Sequence, residues 1–204
     1  MLYIVSTPIG NLKDISLRAL KILKDVDLIL CEDTRVTKKL LNRYDISTNV
    51  ESYHQHSRIN KIEKIKELLK EKDLALVSDS GTPGICDPGN QLIKQLDCEI
   101  SVIPGACAVA AIASVSGFSM DKFVFMGFPP HKKGRNKFFK EILSFKYPVI
   151  IYESPYRIEK TLKELGDREV VIGRELTKKF ETIYRGIASE LKIKTKGEFV
   201  IVIK

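Results

Sequence analysis

The chain has 204 residues, 44% of them hydrophobic and 29% charged, which is enough apolar material for one good core or two modest ones and excludes a disordered composition. Its apolar runs fall short of the roughly 18 residues that a membrane helix requires, and the longest, over 106–115, is interrupted by Ser114. The net charge of +8, from 34 Lys plus Arg against 26 Asp plus Glu, suits a polyanionic partner without requiring one.

The N-terminus enters an apolar strand over 2–6 directly. It has no basic segment followed by a cleavable apolar one, so no signal peptide is expected. Cys31, Cys86, Cys98 and Cys107 show neither close pairing nor a C-x-x-C. That predicts free thiols in a reducing cytoplasm rather than zinc or a disulfide framework. After a turn over 7–11, Asp14 or Ser16 is placed to cap a helix whose Leu17, Leu20, Ile22 and Leu23 fall near one face. A strand over 27–31, a helix over 34–44 and a strand over 50–53 follow. The stretch 57–72 carries Ile62, Ile65, Leu68 and Leu69 at helical spacing among charged residues. A strand over 74–77, a helix over about 88–96, a strand over 99–103 and a small-residue helix over 106–116, ending at Gly117, complete the first half.

Strand–helix alternation of this kind predicts an α/β fold with a largely parallel sheet. Its ligand crevice should lie beyond the carboxyl ends of the strands, where the Gly/Pro-rich loops 7–11, 78–89 and 104–106 fall. The pattern changes after 117–121. A strand over 122–128, a basic loop over 129–134, a helix over 136–144 and a strand over 149–152 come first. A helix over 156–165 and strands over 170–174, 181–185 and 198–203 follow. The reading is two α/β domains, 1–118 and 119–204, the second built on a mixed sheet, with a cleft between them.

The most informative stretch is Ser78-Asp-Ser-Gly-Thr-Pro-Gly-Ile-Cys-Asp-Pro-Gly89, whose glycines and prolines impose an unusual backbone path after a buried strand. It is neither G-x-G-x-x-G nor a P-loop, which argues against a nucleoside triphosphatase. It stands in one order along the chain with Thr7-Pro-Ile-Gly-Asn-Leu12, Cys31-Glu-Asp-Thr-Arg35, Pro104-Gly-Ala106, Gly127-Phe-Pro-Pro130, Tyr152-Glu-Ser-Pro-Tyr-Arg157, Arg174-Glu-Leu-Thr-Lys178 and Lys196-Gly-Glu-Phe199. Together these motifs, spread over essentially the whole chain, resemble the ribosomal RNA small subunit methyltransferase I family, within the tetrapyrrole methylase fold.

The resemblance implies an S-adenosylmethionine-dependent cytidine 2′-O-ribose methyltransferase acting on 16S rRNA near the decoding centre of the small ribosomal subunit. It also implies a cytoplasmic homodimer, S-adenosylhomocysteine as product, and a cofactor cleft between the two domains. Carried over by position, the cofactor contacts are Pro8, Gly81, Thr82, Pro83, Ile85, Cys107, Ala108, Tyr152, Leu176, Gly197 and Glu198, many of them through the backbone. The sequence departs from the family pattern at Ser80, Ala106 and Tyr156, where the family has Ala, Pro and His. Longer members continue past the final strand with a small helical extension, so any RNA contacts made there are expected to be absent or replaced.

Methyl transfer to a ribose hydroxyl needs alignment and a proton acceptor or nearby cation. The charged residues of loops at strand ends are the candidates: Asp14, Glu32, Asp33, Arg35, Glu153, Arg174, Glu175 and Lys178. Asp33 and Arg35 either orient the ribose or cap the next helix and pair with each other. Arg174, Glu175 and Lys178 are either catalytic or a solvated salt-bridge patch, and the sequence does not choose between a carboxylate and Lys178 as base. His54 and His56 form an H-x-H without further ligands, so no metal is expected; His54 reads as an RNA contact or an exposed loop histidine. In His131-Lys-Lys-Gly-Arg-Asn-Lys137, the cations Lys132, Lys133, Arg135 and Lys137 are read as phosphate contacts, against an ordinary solvated loop. Two rival readings share these residues: a tetrapyrrole carbon methyltransferase of corrin or sirohaem synthesis on the same fold, and a ribosome-binding module without activity.

Overall fold

In the computed structural model, which describes residues 1–53, 59–87 and 89–204, the chain divides into two units, Met1–Cys107 and Ala108–Lys204. Strands β1 (Leu2–Val5), β2 (Leu28–Cys31), β3 (Val50–Ser52), β4 (Leu74–Leu76) and β5 (Ile100–Ile103) form the sheet of the first unit, in the order β3-β2-β4-β1-β5. All its pairings are parallel. Helices α1 (Leu17–Asp25), α2 (Thr34–Arg43), α3 (Ile59–Leu69) and α4 (Asn90–Gln95) make the returns.

Alternate side chains of β1, β2 and β4 feed two separate cores. Val5, Ile29, Cys31, Ala75 and Val77 pack with Ala19, Leu23, Leu40 and Leu41 on one face. Leu2, Ile4, Leu30, Leu74 and Leu76 pack with Ile65 and Leu92 on the other. Burial on both faces is why these strands read as short unbroken apolar runs. Ser16, not Asp14, caps α1, its Oγ accepting from the Ala19 amide at 3.1 Å. Asp14 instead ends a 3-10 turn, Leu12–Asp14. Leu17 is not on the core face as expected; it is 85% exposed. It stands two residues, about 200° of helical turn, from the buried Ala19.

The second unit holds β6 (Val124–Phe125), β7 (Val149–Glu153), β8 (Glu169–Arg174), β9 (Thr182–Ile187) and β10 (Phe199–Ile203), in the order β6-β7-β10-β8-β9. Strand β6 runs parallel to β7 and the other pairings are antiparallel, the mixed sheet expected from the sequence. Its helices are α5 (Ala108–Ser116), α6 (Arg135–Ser144) and α7 (Ile158–Leu165). Phe139 and Ile142 of α6 and Ile158 and Leu162 of α7 cover Ile151, Ile172 and Ile201 of the sheet.

The division lies one helix before the expected boundary at 118/119, because α5 packs on β8 and β10 and so belongs to the second unit. Gly173 permits the close approach: a Cβ there would stand 2.9 Å from Ile112 Cδ1 and 2.8 Å from Leu176 Cδ2. The long strand expected over 122–128 is only Val124–Phe125, since the chain turns away at Gly127 with φ 65°. Among the described residues, no helix is long and apolar enough to cross a membrane.

Candidate active site

Three loops of the first unit meet beyond the carboxyl ends of β1, β4 and β5. Thr7 and Gly81 exchange backbone hydrogen bonds, the amide of each donating to the carbonyl of the other at 2.8 and 3.1 Å. The Thr7 hydroxyl donates to the Ser78 carbonyl at 3.1 Å, and Ser78 Oγ to the Gly81 carbonyl at 3.2 Å. Thr82 Oγ1 lies 2.9 Å from Ser6 Oγ and donates to the Ala106 carbonyl at 3.1 Å, joining the third loop to the other two. Gly81 holds φ +84°, and a Cβ there would meet Ile9 Cγ2 at 3.2 Å; one on Gly105 would strike Ser6 Cβ at 2.9 Å. Of the residues carried over to the cofactor, Pro8, Gly81 and Pro83 are buried here, and Thr82, Ile85 and Cys107 are half-buried.

The acidic groups of this end differ in what they can do. Asp33 is the N-cap of α2, accepting from the Arg35 amide at 2.8 Å, and its other oxygen takes Arg35 NH2 at 2.6 Å. These Arg35 contacts hold its carboxyl down at about 2, too weakly basic to take a proton from a hydroxyl. The capping and pairing alternative is therefore the geometry found. Arg35 itself remains 86% exposed. Asp79 accepts from the Asp33 amide at 2.9 Å and so ties the strand-β2 loop to the 78–89 loop.

Asp87 was not singled out from the sequence. Burial, together with the charges of Glu32 and Asp79, pushes its carboxyl up to about 6 against the pull of a Ser78 hydrogen bond. An Asp-Pro-Gly tripeptide reads as a turn, and only burial and the folded proximity of Glu32 and Asp79 distinguish this carboxyl. His54 lies outside the described residues. Among those described, no group of three or more His, Cys, Asp or Glu is arranged to hold a metal ion.

In the second unit, three residues expected at the site turn out to be buried structure. Glu153 Oε1 accepts from the Ser154 amide at 2.7 Å and pairs with Arg157 NH2 at 2.9 Å; Oε2 accepts from Thr161 Oγ1 at 2.5 Å. With both oxygens engaged and no side-chain exposure, Glu153 is not placed to act as a base on a substrate. Arg135 is also buried: its guanidinium meets Glu164 at 2.7 Å, Thr161 Oγ1 at 2.7 Å and the Pro130 carbonyl at 3.1 Å. It is not the phosphate contact expected of it, because every face of the fork has a partner. Lys132, Lys133 and Lys137 around it are exposed. Arg174 is likewise buried, donating to the carbonyls of Lys196 at 2.6 Å and Phe180 at 2.9 Å, which makes it a loop brace.

The loop after β8 is strained. Glu175 and Thr177 hold φ +52° and +65°, each a conformation costing on the order of 1 kcal/mol or more for a non-glycine residue. Gly197 makes room, since a Cβ there would stand 2.6 Å from Glu175 Cγ. Lys178 Nζ reaches Glu175 Oε1 at 3.0 Å and Glu198 Oε2 at 2.7 Å. Burial alone would lower the Lys178 pKa, but the Glu198 and Glu175 carboxylates outweigh it and raise it, so the group stays an ammonium and is no base. Leu176, between the two strained residues, and Tyr152, on β7, are half-buried; Tyr152 packs edge-on to Phe125 with ring centroids 5.0 Å apart.

A parallel α/β unit followed by a mixed-sheet unit, with Gly/Pro loops gathered at the strand ends, is a known architecture. The tetrapyrrole (corrin/porphyrin) methylase family matches residues 1–192. Two solved structures share the fold at low identity: diphthine synthase (TM-score 0.76, 13% identical, covering 99% of this chain and 88% of that one) and a cobalt precorrin-4 methyltransferase (TM-score 0.71, 18% identical, covering 98% and 93%). Much nearer in sequence are proteins named ribosomal RNA small subunit methyltransferase I. That of Thermotoga maritima is 43% identical over 99% of this chain and 97% of its own length, and that of Bacillus subtilis 42% identical over 100% and 75%. The chain belongs to the ribosomal RNA small subunit methyltransferase I family, within the tetrapyrrole methylases.

Two stability outcomes follow from this geometry. Arg135→Ala strips one partner from a buried ion network and should cost about 3–5 kcal/mol in denaturant unfolding, whereas Lys132→Ala, on the surface, should leave the melting curve unchanged. Asp87 holds its proton in the folded state up to about pH 6 and releases it near pH 4 when unfolded. Folding is therefore favoured by protonation, and this contribution is lost as pH rises through that window. Asp87→Asn should stabilise the protein at pH 7 by about 1 kcal/mol after allowing for solvent screening, with the gain vanishing below about pH 4. Equal stabilities of mutant and wild type at pH 7 would contradict the burial of this carboxyl.

Proposed function

We propose that this chain is an S-adenosylmethionine-dependent methyltransferase that modifies the ribose 2′-oxygen of a cytidine in 16S rRNA, near the decoding centre of the small ribosomal subunit. The observation that carries the reading is the full-length likeness, at 42–44% identity, to relatives named for methylation of small-subunit ribosomal RNA. The corrin and diphthine enzymes share the fold at 13–18% identity and carry no comparable weight. We further propose that it works as a homodimer in the cytoplasm, as the family resemblance implies.

The residues suit the cofactor in kind. The three joined loops of the first unit offer main-chain groups and the side chains of Pro8, Thr82, Pro83, Ile85 and Cys107; Ala108, Tyr152, Leu176 and the Gly197–Glu198 backbone are assigned to the cofactor on the family resemblance alone. This neutral, largely apolar set fits an adenine nucleoside rather than a polyphosphate. Bound there, S-adenosylmethionine supplies an electrophilic methyl group. The remaining work is alignment of the ribose hydroxyl and removal of its proton.

We assign the proton to Asp87, a half-buried carboxyl of the 78–89 loop that burial and the charges of Glu32 and Asp79 push up to about 6, and Glu32 the role of helping to keep that affinity raised. Arg35, held by Asp33 and otherwise facing solvent, is assigned to a substrate phosphate, and Glu175 with Lys178 to fixing the strained loop that presents Leu176. A base must be tuned close to the working pH, and such tuning costs stability.

Small subunits from a strain lacking the modification, incubated with methyl-labelled S-adenosylmethionine, should take up label. A 2′-O-methyl group blocks alkaline cleavage, so the label should survive in an alkali-resistant dinucleotide beginning with cytidine. Label on a base, or none, would refute the reading. Under single turnover the wild-type rate should rise through about pH 6, and Asp87→Asn, although more stable, should lose at least about a hundredfold in rate, the usual contribution of a general base.

A further inference from the structure

Two loops of the second unit are fastened into one ledge, and the ledge exposes aromatic rings. Arg157 NH1 donates to the Pro129 carbonyl at 2.9 Å, and Arg135 NH1 to the Pro130 carbonyl at 3.1 Å. Both guanidiniums are anchored below on Glu153, through the 2.9 Å pair with Arg157 and a 3.6 Å approach from Arg135. The residue preceding each end of the Arg157–Pro129 bond is a surface aromatic: Tyr156 is 95% exposed and Phe128 52% exposed. Phe128 leans on Tyr152, with centroids 5.3 Å apart and planes tilted by 59°. The same loop continues into exposed Lys132 and Lys133.

Rings left in water beside cations, on a support of buried ion pairs, match the requirements of one kind of ligand. Single-stranded nucleic acid offers open base faces for stacking and phosphates for pairing. A duplex offers the phosphates but keeps its base faces covered. A solvated surface loop would need neither the rings nor the buried support, since a buried ion network adds little net stability for its desolvation cost.

We propose that the 127–133 and 154–157 loops form a preformed binding ledge for an unpaired segment of RNA, with Phe128 and Tyr156 stacking on bases and Lys132 and Lys133 taking phosphates. This rests on the RNA-methylation reading above and identifies the strand state of the RNA that is bound. The unpaired segment pays no base-pair opening there, and the ledge pays little ordering entropy because its backbone is already fixed.

The test uses the intact protein, a labelled unpaired oligoribonucleotide and the same sequence as a duplex, with binding read by fluorescence anisotropy. Wild type should prefer the unpaired strand. Tyr156→Ala and Phe128→Ala should each weaken that binding at least about fivefold with an unchanged salt slope, the loss expected for one stacked base, while Tyr156→Phe should retain it. Lys132→Ala with Lys133→Ala should weaken both RNAs and flatten the salt slope. Equal wild-type affinity for duplex and unpaired RNA, or full affinity in both aromatic variants, would overturn the ledge. Methylation of small subunits, run in parallel on wild type, separates the two ideas: label incorporation with no stacking response rejects the ledge alone, and absence of incorporation rejects the function.

Discussion

A strand buried on both faces and paired in parallel with its neighbours can only return to the start of the next strand by crossing a face of the sheet. In the first unit all five strands are paired in parallel, and the inner three, β1, β2 and β4, are buried on both faces. Their carboxyl ends therefore open at one edge, and the segments that follow β1, β2, β4 and β5 emerge side by side although they are far apart in sequence. The site owes its position to this, since Ser6–Thr7, Glu32–Arg35, Ser78–Asp87 and Gly105–Ala106 meet only because their strands are neighbours.

Gathering loops at one edge creates a second requirement, because buried backbone groups must find partners. The Thr7–Gly81 pair and the hydroxyls of Thr7, Ser78 and Thr82 supply them. Such close stitching leaves little space for a Cβ at Gly81, whose φ is +84°, and none at Gly105. Gly81 thus makes way for Ile9, and Gly105 for Ser6, both of the first loop. In the second unit Gly173 and Gly197 play the same part, one admitting α5 and Leu176 to the sheet, the other admitting Glu175 to its strained turn.

Much of this was legible in the sequence. Apolar runs alternating with amphipathic stretches gave the order of elements, the parallel and mixed sheets, and the loops at the strand ends, because burial pattern and chain punctuation are local properties. Boundaries and partners were less legible. Helix α5 follows a Gly/Pro turn and precedes the change of pattern at Gly117, so its assignment to the second unit depends on packing against β8 and β10, which no local signal reports. Leu17 opens an amphipathic helix yet faces water. Asp87 carries no local signal because its proton affinity is set by burial and by the charges of Glu32 and Asp79, which only the fold brings to it.

Charged residues separate most sharply on this point. His131-Lys-Lys-Gly-Arg-Asn-Lys137 reads as one basic loop, but its members have opposite fates. Arg135 opens α6 and turns inward because Glu153, Thr161 and Glu164 from β7 and α7 present acceptors that match a planar fork; Lys132, Lys133 and Lys137 find no such match and remain in water. Composition gives both groups the same charge, and only the fold decides which cation supports and which is displayed. A buried network of this kind contributes little net stability for what it costs to desolvate, so its effect is felt in shape. By holding the carbonyls of Pro129 and Pro130 on two arginines, it fixes the path of the loop that carries the exposed lysines. The display is therefore rigid at its root and free at its tips, an arrangement that lowers the ordering entropy of binding while leaving the long cationic side chains able to follow a phosphate backbone.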